Sequence, residues 1–219
     1  MADRPAFIYL HGFASGPQST KARYFRERFE ELRVPLEIPD LNQGEEGFRN
    51  LTLSRSVAQV RQIIDESGKE SAVLIGSSLG GYTAALTASQ DPRVVGLVLL
   101  CPAFDLPARW TQWLDREGID RWRATGELEV DHHAWNRKEK IGFAVYRDAL
   151  GHSPYPKVAV PTLIHHGRND TEVPLGTSEK FAWGQDHVRL IAYDSDHALT
   201  DVIEPIWTET RAFLAPWIG

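Results

Sequence analysis

The chain contains very little cysteine and no long hydrophobic run, and each absence excludes a class of protein. Cys101 is the single cysteine among 219 residues, so no disulfide can form within the chain. No apolar run approaches the ~20 residues that a membrane-spanning helix needs. The first residues also lack the basic and hydrophobic segments of a secretory signal. These absences predict a cytoplasmic protein that folds without disulfides and without a membrane span.

The chain also has no excess of positive charge, no repeat and no low-complexity tract. Its formal net charge is −6, with acids and bases mixed, which argues against a nucleic-acid partner and favours a small molecule. No linker-like stretch divides the chain, so residues 1–219 are predicted to form one domain. His132 and His133 lack a ligand-spaced partner, and we therefore predict no metal and no cofactor. Nothing in the sequence specifies an oligomeric state.

Short aliphatic runs alternate with helical patterns along most of the chain, and this alternation is typical of a parallel sheet covered by helices. Apolar residues three or four apart predict one helix around Phe25 and another around Val57. The sequence thus predicts an α/β fold with a mostly parallel six-stranded sheet and helices on both faces. The predicted strands are Ala6–Leu10, Leu36–Ile38, Ala72–Ile75, Val94–Leu100, Thr162–His165 and Val188–Tyr193.

One stretch, from Phe104 to about Pro156, departs from this alternation. It has no aliphatic strand run but carries four of the seven tryptophans. Fifty residues are too many for a bare loop, so we expect an inserted cap, or lid, at about 104–156 with its own helices. Trp110 and Trp113 would share one helical face. Two interpretations stay open: these rings attach the insertion to the core, or they form walls of an apolar substrate pocket.

The segment "IGSSLGG" predicts a sharp turn between a strand and a helix. Gly76, Ser78 and Gly80 satisfy the pattern Gly-x-Ser-x-Gly, whereas Ser77 does not. Such a turn strains its central serine and exposes the hydroxyl at the carboxyl edge of the sheet. Ser78 is therefore the candidate nucleophile, and Ser77 is interpreted as a turn hydroxyl. The backbone N–H of Leu79, at the start of the helix, is a candidate donor to an oxyanion.

A serine nucleophile needs a base, and the base needs a carboxylate to orient it. Asp170 follows the predicted strand Thr162–His165, and His197 follows the last predicted strand. The order Ser78, Asp170, His197 is the order in which this type of sheet brings the three side chains to one edge. Alternatives exist in the same loops. For the acid, Glu172 stays open as a competitor of Asp170, whereas Asp196 is interpreted as a solvated loop charge. For the base, His165 and His166 end a strand and are interpreted as structural, hydrogen-bonded groups.

The segments "YLHGFASGPQSTKA", "GSSLGGY", "HHGRNDTEVP" and "DHAL" give the chain a family resemblance. It resembles the α/β-hydrolase superfamily from end to end, most closely the small cytosolic esterases of the YqiA type. A more distant likeness is to acyl-protein thioesterases, which also contain "GSSLGG". The resemblance implies that the turn His11-Gly12-Phe13 supplies the second oxyanion donor, the N–H of Phe13. It also implies carboxylic esters or acyl thioesters as substrates.

The expected function is acyl transfer to water in two steps. Ser78 would attack the acyl carbonyl while His197 takes its proton, and Asp170 would orient His197. An amidase or an acyltransferase on the same fold is the first alternative. A protein that binds a small ligand without catalysis is the second, because a fold alone does not determine function.

Overall fold

This computed structural model describes residues 4–219, and strands alternate with helices through most of them. In chain order the elements are β1 (Ala6–Leu10), α1 (Thr20–Glu31), α2 (Gly44–Arg49), α3 (Leu53–Glu66), β2 (Ala72–Ser77), α4 (Leu79–Ala88), β3 (Val94–Leu100), α5 (Leu106–Thr125), β4 (Glu127–His132), β5 (Arg137–Gly142), α6 (Ala144–Ala149), β6 (Thr162–Gly167), α7 (Leu175–Ala182), β7 (Val188–Tyr193) and α8 (Ile203–Ile218). None of these helices is both long and apolar enough to cross a lipid bilayer.

Five parallel strands form the main sheet, in the order β1-β2-β3-β6-β7. Successive side chains of a strand point to opposite faces, and β1 shows where each face packs. Phe7 and Tyr9 belong to the hydrophobic cluster that contains buried side chains of α1 and α8. Ile8 and Leu10 belong to the cluster that contains buried side chains of α3 and α4. The predicted α/β fold with helices on both faces is therefore confirmed.

The predicted number of six strands is wrong, because Leu36–Ile38 does not form a strand. Only Glu37 pairs with β1: its N–H donates to Phe7 O at 2.9 Å, and its carbonyl accepts from Tyr9 N at 2.8 Å. The next donor in this parallel ladder would be residue 39, which is a proline. Proline has no N–H to donate, so the ladder ends after one bridge and five strands remain.

The two predicted amphipathic helices form where the sequence places them, and both begin at a side-chain cap. Ser19 accepts from Ala22 N before α1, and Thr52 accepts from Arg55 N before α3. Such caps satisfy backbone N–H groups that have no partner in the first turn of a helix. These helices pack on opposite faces of the sheet.

The segment at 104–156 contains the expected helices α5 and α6 and also an antiparallel hairpin, β4 and β5, that was not predicted. The hairpin escaped prediction because most of its residues are charged or polar, and only Leu128, Val130 and Ile141 supply aliphatic side chains. Trp122 holds the hairpin to α5, since its Nε1–H donates to Ile141 O at 3.2 Å. Trp122 also belongs to the same buried cluster as side chains of α3 and α4.

Candidate active site

Ser78 lies in the sharp turn between β2 and α4, and its backbone is strained. Its φ of 53° and ψ of −116° lie in a region that residues other than glycine rarely adopt. Backbone hydrogen bonds hold this conformation: Ser78 N–H donates to Leu100 O at 2.8 Å, and Ser78 O accepts from Ala103 N at 3.0 Å. The turn places Ser78 where the carboxyl ends of β1, β2 and β3 meet.

Gly76 and Gly80 allow this turn to pack closely. A Cβ atom on Gly76 would lie 2.4 Å from Gly80 O, and one on Gly80 would lie 2.1 Å from Leu10 O. Both distances are far below van der Waals contact, and in both cases the neighbour is backbone that cannot move aside alone. The glycines of the pattern therefore let α4 approach β1 and β2.

This close packing leads to a prediction about stability. We expect Gly80→Ala to lower the free energy of unfolding by about 3 kcal/mol, because overpacking against fixed atoms costs roughly 1–3 kcal/mol or more. Gly176→Ala in α7 is the matched control, since its Cβ would meet only Glu179 Oε2 at 4.0 Å. Urea unfolding of the two variants measures both values. Equal stability of the two variants would contradict the role given to Gly80.

The structure brings the three predicted side chains together in one row. His197 Nε2 lies 3.0 Å from Ser78 Oγ, and His197 Nδ1 lies 2.7 Å from Asp170 Oδ2. Because a carboxylate can only accept, Nδ1 carries the hydrogen and Nε2 is free to accept from the Ser78 hydroxyl. This tautomer is the one that a general base needs in order to take a proton from serine.

Asp170 is buried, and its two carboxylate oxygens have different partners. Oδ1 accepts from the backbone N–H groups of Glu172 at 2.9 Å and Val173 at 2.8 Å. Oδ2 faces His197 and also lies 3.3 Å from His166 Nε2. Burial raises the pKa of Asp170, but the hydrogen bonds with His166 and His197 outweigh burial and hold the pKa well below its usual range. Asp170 therefore stays ionised at neutral pH.

The rival acids do not occupy the position of Asp170. The side chain of Glu172 is 71% exposed, and its Oε2 lies 3.6 Å from Nε2 of His197, on the same side as Ser78. A carboxylate there cannot hold the hydrogen on Nδ1. Asp196 is exposed, and its side chain accepts from the backbone N–H of Ala198. Of these acids, only Asp170 contacts Nδ1.

His165 and His166 have the hydrogen-bonded surroundings that the sequence interpretation gave them. Both are fully buried. His165 lies 2.9 Å from Tyr193 Oη and 3.1 Å from Thr210 Oγ1, and burial lowers its pKa to about 3. The contact between His166 and Asp170 was not predicted. Its only signal in the sequence is a spacing of four residues across the turn after β6.

The turn that carries Phe13 lies against Ser78. A Cβ atom on Gly12 would lie 3.3 Å from Ser78 Cβ. His11 Nε2 accepts from Leu41 N at 2.9 Å, so the ring hydrogen is on Nδ1, which donates to Gly12 O at 2.9 Å. The carbonyl of Gly12 and the N–H of Phe13 belong to one peptide plane. His11 therefore fixes the orientation of the predicted oxyanion donor.

Leu79, the other predicted donor, is the first residue of α4. Its N–H has no partner within the helix and lies at the positive end of the helix dipole. Leu79 follows Ser78 directly, so its N–H adjoins the hydroxyl that would attack. The roles of Leu79 and Phe13 as oxyanion donors stay predictions.

Trp110 and Trp113 contact each other, with ring centroids 6.0 Å apart. Trp110 is buried and packs edge-to-face on Phe13, outside the insertion, with ring centroids 5.6 Å apart, so it does attach the insertion to the core. Trp113 is 62% exposed. Both rings also line a cavity of about 580 Å³ that reaches Ser78. The two interpretations are therefore compatible for Trp110, and contact with a substrate stays a prediction for both residues.

Among residues 4–219, one cluster of metal-binding residue types lies beside Ser78, His197 and Asp170. The candidate ligand atoms of Cys101, His166 and Asp170 lie within 4.8 Å of one another. The ring nitrogens of His166 already contact Ser178 Oγ and Val173 O, each at 2.8 Å. Burial raises the pKa of the Cys101 thiol well above its usual range, so it is protonated at neutral pH. These atoms support Asp170 by hydrogen bonding and do not form an open set of ligands.

Comparison with protein families gives a match over nearly the whole chain. The sequence profile of the uncharacterised protein family UPF0227 matches residues 6–214. Among curated proteins, the chain is 26% identical over 194 residues to palmitoyl-protein thioesterase ABHD10, mitochondrial, of Bos taurus. This match covers 81% of the chain and 61% of the relative, so the chain spans about three fifths of the length of that protein.

Solved structures show the same fold. Mouse alpha/beta hydrolase domain-containing protein 10 superposes with a TM-score of 0.81 at 21% identity, covering 99% of this chain and 92% of the other. Est1E from Butyrivibrio proteoclasticus, with ferulic acid bound, superposes with a TM-score of 0.82 at 22% identity, covering 98% and 89%. At these identities the similarity establishes the α/β-hydrolase fold.

Proposed function

We propose that this chain, which belongs to the uncharacterised protein family UPF0227 and has the α/β-hydrolase fold, is a serine hydrolase. Its substrates in this proposal are carboxylic esters or acyl thioesters. The observation that carries the proposal is the continuous row of contacts from Ser78 through His197 to Asp170. Names of similar proteins support it, because they include a palmitoyl-protein thioesterase and lipolytic enzymes.

In the proposed reaction, Ser78 Oγ attacks the acyl carbonyl while Nε2 of His197 takes the serine proton. The N–H groups of Phe13 and Leu79 hold the oxyanion, and one such donor typically lowers the barrier by about 3 kcal/mol. The leaving group departs with the proton returned by His197. Water, activated by the same imidazole, then releases the acyl group from Ser78. Asp170 stabilises the imidazolium throughout.

The same geometry bears on the two alternative functions, a binding protein without catalysis and an amidase or acyltransferase. A binding protein without catalysis has no need of a strained serine that contacts a base in the correct tautomer, so this geometry supports catalysis. Amide cleavage and transfer to another acceptor use the same groups, and only substrates distinguish them. The cytoplasmic location expected from the sequence stays a prediction, and the curated relatives are named as mitochondrial.

Labelling with a fluorophosphonate tests the proposal directly. We expect one phosphonyl group per chain, on Ser78, because the reagent reacts with a serine that is activated by a base. Mass spectrometry of the intact protein and of its peptides measures the stoichiometry and the site. An unlabelled protein, or label on Ser77 alone, would contradict the proposed nucleophile.

Substrates with one common acyl group then define the reaction. We expect kcat/KM for the ester and the thioester to exceed that for the anilide by at least about tenfold, or 1.4 kcal/mol in barrier. A higher kcat/KM for the anilide than for the ester and the thioester would favour an amidase.

A further inference from the structure

Two cavities meet at Ser78, and their linings have different chemistry. The larger cavity has a volume of about 580 Å³ and the smaller about 300 Å³. Phe13, Ser78, His133 and Glu172 line both, so the two cavities adjoin at the nucleophile. An ester bound at Ser78 has two parts, the acyl group and the alcohol, and each cavity has the size to accept one of them.

The lining of the larger cavity is mostly apolar. Besides Phe13, its apolar side chains come from the insertion, from α4 and from the loop after β6: Leu79, Leu106, Trp110, Trp113, Val130 and Val173. Arg109, Asp131 and Glu172 contribute charged groups of both signs. Burial of an apolar group against such side chains is favourable at about 25 cal/mol per Å², so this cavity suits a hydrocarbon or aromatic acyl group.

The smaller cavity is rich in hydroxyl groups. In addition to Ser78, six hydroxyl side chains line it: Tyr9, Ser15, Ser19, Thr20, Ser77 and Thr200. The hydroxyl of Tyr9 is buried and has the side chain of Ser77 beside it, so the exposed hydroxyl groups of the cavity, such as that of Thr200, are the ones that a ligand can reach.

The charges of the smaller cavity favour a neutral ligand. Lys21 lines this cavity, and its ammonium donates a hydrogen bond to Ala198 O at 2.8 Å. The same ammonium also donates to His197 O at 3.4 Å. Because an ammonium has three donors, one is left for an oxygen atom of a ligand. Glu172 also lines this cavity, and its negative charge balances the positive charge of Lys21. With donors and acceptors on both sides and the two charges balanced, the cavity suits hydroxyl groups better than an anion or a cation.

The position of His197 decides which part of the ester enters which cavity. His197 lines the smaller cavity and, within the described residues, is absent from the lining of the larger. When the acyl–oxygen bond breaks, its electron pair goes to the alcohol oxygen, which takes the proton from Nε2 of His197, and the carbonyl re-forms on Ser78. The alcohol must therefore lie beside His197, in the smaller cavity.

We propose that the substrate is an ester between an apolar acyl group and a compact alcohol with further hydroxyl groups. This proposal rests on the proposed function as a serine hydrolase. The acyl group occupies the larger cavity, against Trp110 and Trp113. The alcohol, of the size and type of glycerol, occupies the smaller cavity and binds hydroxyl groups such as that of Thr200.

Two ratios of kcat/KM test this proposal. The first compares glyceryl and 2-methylbutyl esters of butyric acid, whose alcohols have the same shape and differ in two hydroxyl groups. We expect at least about a tenfold preference for the glyceryl ester, because a site built for hydroxyls discriminates strongly against their absence. The second compares decanoyl and butyryl esters of glycerol, and we expect the longer chain to be preferred.

Two exposed lining residues supply the matched variants. Thr200→Val removes a hydroxyl at constant shape, and we expect it to reduce the first ratio about threefold, the effect of one hydrogen bond. Trp113→Ala removes apolar surface from the larger cavity, and we expect it to reduce the second ratio. Each variant should leave the other ratio within about twofold, since the acyl and alcohol sites are separate.

Fluorophosphonate labelling of the same wild-type sample separates the possible failures. Absence of label overturns the proposed function itself. A labelled protein that cleaves the 2-methylbutyl ester as fast as the glyceryl ester overturns the alcohol class. A labelled protein in which Thr200→Val changes only the chain-length ratio and Trp113→Ala only the alcohol ratio overturns the orientation.

Discussion

Ser78→Ala is expected to lower kcat for any accepted ester by about a millionfold, the effect of removing the nucleophile where serine and histidine act as a unit. Without Oγ no acyl-enzyme can form, and His197 has no hydroxyl to deprotonate. The proposed backbone donors at Phe13 and Leu79 are unaffected by this substitution, so we expect a residual rate of roughly a thousandfold over water. Burst kinetics with an activated ester measure the loss, because the burst reports the acyl-enzyme directly.

Ser77→Ala is the matched control for this prediction. Ser77 is the last residue of β2 and is buried, and the row of contacts with His197 does not include it. We expect the kcat of the Ser77→Ala variant to fall by no more than about tenfold, with a burst of normal amplitude. An equal loss in both variants, at unchanged circular dichroism, would show that the turn had been assigned to the wrong serine.

The nucleophile turn could be predicted because its determinants are local. The strain of Ser78 and the close approach of Gly76 to Gly80 arise within five residues, and the sequence pattern contains both. The close approach of Gly80 to Leu10 O depends in addition on β1 lying beside β2. For the proposed acid Asp170 and the proposed base His197, the sequence predicts only their order along the chain. Their distances depend on strands β6 and β7 lying beside β3, which no local pattern specifies.

The strand predictions fail where the local residue pattern and the strand pairing in the structure disagree. Leu36–Ile38 has the composition of a strand, but Pro39 removes the next hydrogen-bond donor, and only Glu37 pairs with β1. In the insertion the situation is reversed. Arg137–Gly142 carries charges on most residues, yet it pairs along its whole length with Glu127–His132, because a hairpin exposed on one face needs few apolar side chains.

Asp170→Asn is expected to lower kcat by about ten-thousandfold while the protein keeps its fold. Oδ1 of Asp170 accepts two backbone N–H groups, from Glu172 and Val173, so the amide oxygen of asparagine takes this position. The amide NH₂ then faces His197 and can only donate to Nδ1. The imidazole adopts the other tautomer, with its hydrogen on Nε2 toward Ser78, and it can no longer accept the serine proton.

Glu172→Gln is the control for Asp170→Asn, because it makes the same change of charge two residues away. Its carboxylate is 71% exposed and lies 3.6 Å from Nε2, the nitrogen that faces Ser78, so its loss leaves the hydrogen on Nδ1. We expect its kcat to change by less than about tenfold, since the charge of an exposed carboxylate acts on a neighbouring group with only ~1 kcal/mol or less. Steady-state kinetics and thermal unfolding of both variants measure the two effects. An active Asp170→Asn protein beside an inactive Glu172→Gln protein would assign the acid's role to Glu172, and the tautomer argument would then fail.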